Sequence, residues 1–164
     1  MDQLTLLPFG LPGTIYRSPM PFSRHFDPAQ TLLARYQAVG VQTVVVLSPW
    51  EETRYLTGRH LKAEYARLGL EIIYLPMPDY GVPEATALRR ALQQVLDEAQ
   101  EGKVIAMHCH AGIGRTGLFA ACLAKVVFGL DGGEAIEWVR DALPPAVESF
   151  EQEQFIKQFE FEPE

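Results

Sequence analysis

Between Lys103 and Ala124 the chain passes from one apolar segment, Lys103-Val104-Ile105-Ala106-Met107-His108, through a glycine-rich turn into a second, Leu118-Phe119-Ala120-Ala121-Cys122-Leu123-Ala124. The first is short and apolar, as a buried strand is, and the second reads as a helix. A strand that feeds a helix through a tight loop is the building unit of a sheet with helical crossovers.

The rest of the chain extends that pattern. After an irregular start containing Leu11-Pro12-Gly13 and Arg17-Ser18-Pro19, Asp27-Pro28 reads as an N-cap and first helical turn; Leu32, Tyr36 and Val39 follow at helical spacing and Gly40 stops the helix. Val41 to Leu47 is a β-branched run that reads as a buried strand. Ser48-Pro49-Trp50-Glu51-Glu52 begins a loop or short helix leading to the segment around Tyr65, with Trp50 read as a packed core residue in preference to one that rims the substrate mouth. Glu71 to Leu75 is the next strand, and Leu88, Leu92, Val95, Leu96 and Ala99 share one face of the helix after it. Asp131 with Glu134 resembles a capping box for the helix carrying Ile136, Trp138 and Val139. The expected fold is α/β, a largely parallel central sheet with helices on both faces and a site at the C-terminal edge of its strands. With no repeat, low-complexity tract or long linker, residues 1–164 are expected to form one domain.

The turn itself reads His108-Cys109-His110-Ala111-Gly112-Ile113-Gly114-Arg115-Thr116-Gly117. At a helix start, unpaired backbone N–H groups and the positive end of the helix dipole favour an anion, and glycines let successive N–H groups curl inward as a nest. His110, Ala111, Gly112, Ile113 and Gly114 would form that cradle. Arg115 supplies a planar fork that grips two oxygens of one phosphate. Thiols held at a helix N-terminus beside a cation ionise well below the free value of about 8.5, which makes Cys109 a candidate nucleophile beneath a bound phosphate ester. Thr116 is placed to donate its hydroxyl to the sulfur, and His108 to orient the loop from behind. The Cys-His pair has no second His/Cys pair at zinc-like spacing, so no metal or other cofactor is called for. Cys122 falls on the apolar face of its helix and reads as core.

A net charge of −7 argues against nucleic acid or an anionic membrane as a general partner. No apolar run reaches eighteen residues and no charged-then-apolar N-terminus is present, so neither a membrane span nor a signal peptide is expected. A working thiolate and only two cysteines suit a reducing compartment, hence a cytoplasmic location.

Two further segments complete a resemblance. Pro78-Asp79-Tyr80-Gly81-Val82-Pro83 is similar to the W-P-D-x-G-V-P loop, and Val147-Glu148-Ser149-Phe150-Glu151-Gln152-Glu153-Gln154-Phe155 to the V-Q-T-x-x-Q-x-x-F loop, of the cysteine-dependent protein tyrosine phosphatase superfamily. With the Cys109 loop these fall in the family's order. The overall arrangement resembles small dual-specificity members, including the kinase-associated phosphatase branch, while the catalytic loops look more like tyrosine-specific members. The resemblance implies a metal-independent phosphoprotein phosphatase working through a phosphocysteine, on phosphotyrosine and in the dual-specificity case on phosphoserine and phosphothreonine. Its partner would be a phosphorylated protein or peptide.

The resemblance also assigns roles. Asp79 matches the general acid that protonates the leaving oxygen, and Gly81 with its flanking prolines suits a loop that closes about a hinge. Met77 stands where the family usually carries the hinge Trp. Glu148 stands where the family has a Gln that helps to place the hydrolytic water; Gln152 matches a second Gln. The expectation is that Gln152 places the water alone and that Glu148 turns to solvent. Two other readings stay open: a phosphoinositide or inositol-phosphate phosphatase, and a phosphoprotein-binding module without turnover. His110, Ala111 and Ile113, where polyphosphate-specific members often carry lysines, weigh against the first. Intact Cys109, Arg115 and Asp79 weigh against the second.

Overall fold

The computed structural model describes residues 3–162 of the chain. Five strands, β1 (Thr5–Leu7), β2 (Thr14–Ser18), β3 (Thr43–Val46), β4 (Glu71–Tyr74) and β5 (Val104–His108), form one sheet in the order β1-β2-β5-β3-β4. Only the β1–β2 pairing is antiparallel. Seven helices accompany them among the described residues: α1 (Leu32–Ala38), α2 (Trp50–Thr57), α3 (Leu61–Arg67), α4 (Ala85–Gln100), α5 (Gly114–Phe128), α6 (Gly132–Ala142) and α7 (Phe150–Gln158).

Side-chain alternation sends successive strand residues to opposite faces of the sheet, and each face meets its own helices. Val45, Ile73, Ile105 and Met107 pack with Leu88, Leu92 and Val95 of α4, the buried turns of α5, Ile136 and Val139 of α6 and Ile156 of α7. Val44, Val46 and Ala106 face the other way, onto Leu32, Leu33 and Tyr36 of α1 and Leu61 and Tyr65 of α3. All four residues of β3 are therefore buried, as a strand covered on both faces must be. Helix α5 is buried continuously from Gly114 to Ala124 and packs against α4, α6 and α7. Its apolar run has no polar face because it is the central helix of its layer.

Three expectations are corrected. The start of the chain is not irregular: β2 pairs in parallel with β5 at the middle of the sheet, Ser18 opposite His108. Its five residues lie between Leu11-Pro12-Gly13 and Pro19, and so short an alternating run between breakers carries little periodicity. Asp27 does not open a helix. Its carboxylate accepts from the backbone of Phe22 at 2.9 Å and Thr31 at 3.0 Å, so it braces a turn, and α1 starts five residues later. Between β3 and β4 there are two helices where one short segment was expected, and Trp50 is half-buried, stacked on Tyr74 at 4.8 Å. The Asp131–Glu134 capping box is present, and burial pushes the Cys122 thiol up to about 12.

Candidate active site

Strands β2, β3 and β5 end level with one another: His108 pairs with Ser18 on one side and Val46 on the other. The turn from Cys109 to Ile113 leaves the sheet at that edge and runs into α5. Gly112 takes a φ of +77°, and a side chain there would collide with the Ser18 carbonyl and the Arg17 guanidinium. The loop is clamped from beneath. Arg17, 1% exposed, donates from Nε to the Gly112 carbonyl at 3.0 Å and from Nη2 to the Ala111 carbonyl at 2.8 Å. Holding those carbonyls away from the cleft leaves the loop's N–H groups to face into it.

His108 supports the loop on its other side. Its Nδ1 lies 3.0 Å from the Cys109 carbonyl, and a carbonyl only accepts, so Nδ1 carries the proton. Nε2 is then the acceptor for the Tyr65 hydroxyl at 2.7 Å. Burial holds the imidazole neutral, with its pKa pushed down to about 4. The same burial pushes the Tyr65 phenol well up.

A cleft of about 320 Å³ opens over Cys109, lined by His25, Phe26, Asp79, Tyr80, His110, Ala111, Arg115 and Glu148. Arg115 is 1% exposed. Its Nη1 is engaged by the Met77 carbonyl at 3.0 Å and by Glu52 at 2.9 Å, and its Nη2 lies 3.5 Å from Asp79. Its Nε, buried, has no hydrogen-bond partner among the described residues. One edge of the guanidinium is therefore fixed while Nε keeps its hydrogen-bonding capacity, the arrangement a planar bidentate donor needs to receive an oxyanion.

The Asp79 loop lies across this cleft. Met77, the residue in the hinge aromatic's place, is fully buried and binds Arg115 through its carbonyl. His110 lines the mouth, its imidazole 3.1 Å from Ser23 Oγ and edge-on to Phe26 at 4.8 Å; burial lowers its pKa.

Three expected positions differ from what is found. Thr116 Oγ1 is buried with no hydrogen-bond partner, so the bond to the Cys109 sulfur is not made. Glu148 does not leave the cleft. Its carboxylate accepts from the Gly114 N–H, and partial burial with the nearby Asp79 charge raises its pKa. Gln152 is the one withdrawn: fully buried, its Oε1 accepts from the backbone of Glu148 at 2.9 Å and Ser149 at 3.3 Å, and its Nε2 donates to the Gly81 carbonyl at 3.2 Å. The capping geometry of α7 decides this, because the N3 side chain must fold back to the N-cap.

Four contributors were not read from the sequence: Arg17, Glu52, Tyr65 and Phe26. Arg17, between Tyr16 and Ser18, and Tyr65, between Glu64 and Ala66, carry no local mark of their burial. Glu52 lies in the first turn of the helix that leaves β3, at the sheet edge where such folds bind ligands. Nothing local marks Phe26.

Residues 23–156 match the family model described as "PTP-SAK: Swiss Army Knife protein, DSP-PTPase phosphatase domain". The chain belongs to this family of cysteine-dependent phosphatases. It is 28% identical over 148 residues to "Protein tyrosine phosphatase domain-containing protein 1" of Mus musculus, covering 80% of this chain and 19% of that protein. The chain thus spans about a fifth of that curated relative's length. Among solved structures it is similar to Tk-PTP in its active form, at 28% identity and TM-score 0.76 over 96% of both chains. Kinase associated phosphatase, solved with a serine in place of its catalytic-site cysteine, superposes at TM-score 0.85 over 95% of this chain and 92% of that one, at 18% identity. PTPMT1, solved with PI(5)P, shares the fold at TM-score 0.75 and 22% identity, covering 96% of this chain and 94% of its own. No helix among the described residues is long and apolar enough to cross a membrane.

Proposed function

We propose that residues 1–164 act as a single phosphatase catalytic domain that hydrolyses phosphotyrosine in proteins, and secondarily phosphoserine and phosphothreonine, through a phosphocysteine. The observation that carries this reading is Arg115: a buried guanidinium with its Nε unpartnered at the head of α5, beside Cys109 in one cleft. Cys109 attacks phosphorus in line as the thiolate. The loop N–H groups and Arg115 hold the three remaining oxygens and match the charge that spreads over them. Asp79 delivers a proton to the departing oxygen and takes one from water as the phosphocysteine is hydrolysed. Glu148, on the wall of the same cleft, contributes charge. Glu52 acts through Arg115 by holding Nη1.

Aromatic surfaces support an aryl ester as the substrate. Phe26, His25, His110 and the 57%-exposed Tyr80 line the mouth, offering faces and edges on which a phenyl ring stacks. The charge of the lining weighs against inositol phosphates. Among the described residues Arg115 is the one Lys or Arg on the cleft wall, set against the carboxylates of Asp79 and Glu148, and a ligand with several phosphates needs several cations.

Purified protein assayed against phosphotyrosyl peptides, phosphoseryl peptides and inositol phosphates tests the reading. Phosphate release from the phosphotyrosyl peptide, abolished in Cys109→Ser, is expected. Turnover confined to inositol phosphates would overturn the substrate, and no turnover of any of them would make the chain a binding module.

A further inference from the structure

Helix α7 is capped by a box that does more than capping requires. A capping box needs one side-chain acceptor at the N-cap and one at N3. The box of α6 is built from two acceptors, Asp131 and Glu134. That of α7 uses Ser149 and Gln152, which carry donors as well. Ser149 Oγ accepts from the Gln152 backbone N–H at 3.1 Å and donates to the Tyr80 carbonyl at 2.8 Å. Gln152 Oε1 completes the cap, while Nε2 donates to the Gly81 carbonyl at 3.2 Å. Both surplus donors go to the same short loop.

That loop carries Asp79. On its upstream side Arg115 holds the Met77 carbonyl; on its downstream side α7 holds the carbonyls of Tyr80 and Gly81. Tyr80 sits at φ +60°, a conformation unfavourable for a tyrosine and kept only where surroundings enforce it. Within the loop the Gly81 N–H closes a turn onto the Pro78 carbonyl at 2.8 Å, and the Tyr80 N–H meets Asp79 Oδ1 at 3.1 Å. The Asp79 side chain is itself more than half exposed, and among the described residues its ion-pair partner is Arg115 at 3.5 Å. Its position therefore depends on the backbone beneath it.

We infer that Ser149 and Gln152 are positioning residues, a latch by which the N-terminus of α7 holds the Asp79 loop over Cys109 where no hinge tryptophan is available. The inference rests on Asp79 being the general acid. Losing the latch lets Asp79 drift from the leaving oxygen, which slows esters that need a proton more than esters that do not.

Acceptor and donor roles separate by mutation. Ser149→Gly removes the donor at little cost to capping, since glycine is itself a good N-cap residue. Gln152→Glu keeps the cap acceptor and loses the donor, and Ser149→Thr keeps both functions. The measurement is the ratio of kcat/KM for phenyl phosphate, whose leaving group is as basic as a tyrosine side chain, to kcat/KM for a nitro-activated aryl phosphate, since kcat/KM reports the steps through departure of the leaving group. Thermal melts accompany it to show that each variant is folded. We expect that ratio to fall at least about tenfold in Ser149→Gly and in Gln152→Glu, and to return within about twofold of wild type in Ser149→Thr. Equal slowing of both esters, or an unchanged ratio, would overturn the latch. Asp79→Asn run alongside separates the two failures: if it shifts the ratio and the α7 variants do not, the latch alone is wrong; if Asp79→Asn leaves the ratio unchanged, the acid assignment falls and the latch with it.

Discussion

Replacing Arg17 should cost this protein both stability and anion binding, although the residue lies on a strand behind the cleft. Arg17→Met keeps the length of the side chain and removes its donors. The carbonyls of Ala111 and Gly112, now receiving charge-assisted bonds of 2.8 and 3.0 Å, would lose them in a site where Arg17 itself is 1% exposed. Hydrogen bonds to charged groups contribute about 1.5–3 kcal/mol each, and an unsatisfied buried acceptor costs a similar amount. Two such losses sum to roughly 3–6 kcal/mol. For a domain of this size that lowers Tm by roughly 10 °C. A second effect is expected because the same two carbonyls set the direction of the loop's N–H groups. Vanadate or sulfate should bind at least about tenfold more weakly at a temperature where the variant remains folded, a loss of about 1.4 kcal/mol. Arg17→Lys, with one point charge in place of a fork, should recover part of each. Differential scanning calorimetry and inhibition by sulfate give the two numbers. A Tm within about 3 °C of wild type, with sulfate inhibition unchanged, would refute the clamp.

Cys109→Ser should abolish turnover while phosphate analogues still bind, and chelators should leave the wild type unaffected; a turnover assay with and without a chelator checks both. His108, with its pKa pushed down to about 4 by burial, resists the proton that an unfolded histidine takes near 6.5. Stability should therefore fall as pH drops from about 6.5 toward 4, by about 3 kcal/mol over the window, and urea midpoints for His108→Gln should lack that component. Glu148→Gln should tighten sulfate inhibition roughly threefold to tenfold at neutral pH by removing one charge from the cradle's rim. Because the Glu148 pKa is raised, the wild type should approach the variant as pH falls toward and through the ordinary carboxylate range. A constant gap across that range would show that the carboxylate does not face the anion.

The order of strands from β3 onward and the helices α4, α5 and α6 were legible in residue pattern, as was the chemistry of the Cys109 loop. There, spacing along the chain and spacing in space are nearly the same: Cys109 and Arg115 are joined by one turn, so their types and offset already specify an anion cradle. Asp79 was legible for a different reason, its place in a segment that resembles a known loop. Strand β2 was not, because Thr14–Ser18 owes its extended form to β5, a neighbour about ninety residues away.

The same distinction separates Glu148 from Gln152. Seen as a linear segment, both lie on one acidic stretch, and a carboxylate beside a phosphate site is expected to turn away. Only the folded chain shows that a capping box draws Gln152 inward, a pull that acts within one helical turn, and that Gly114, lacking a Cβ, leaves room for the Glu148 carboxylate against α5. Local sequence thus determined which groups can react, since reactivity follows from residue type and its immediate neighbours. Which groups hold them, Arg17 under the loop, Tyr65 behind His108, Glu52 beside Arg115 and α7 beneath Asp79, was decided by tertiary packing. Those contacts join parts of the chain between 43 and 95 residues apart, and no local pattern encodes a pairing made only when the sheet and its helices close.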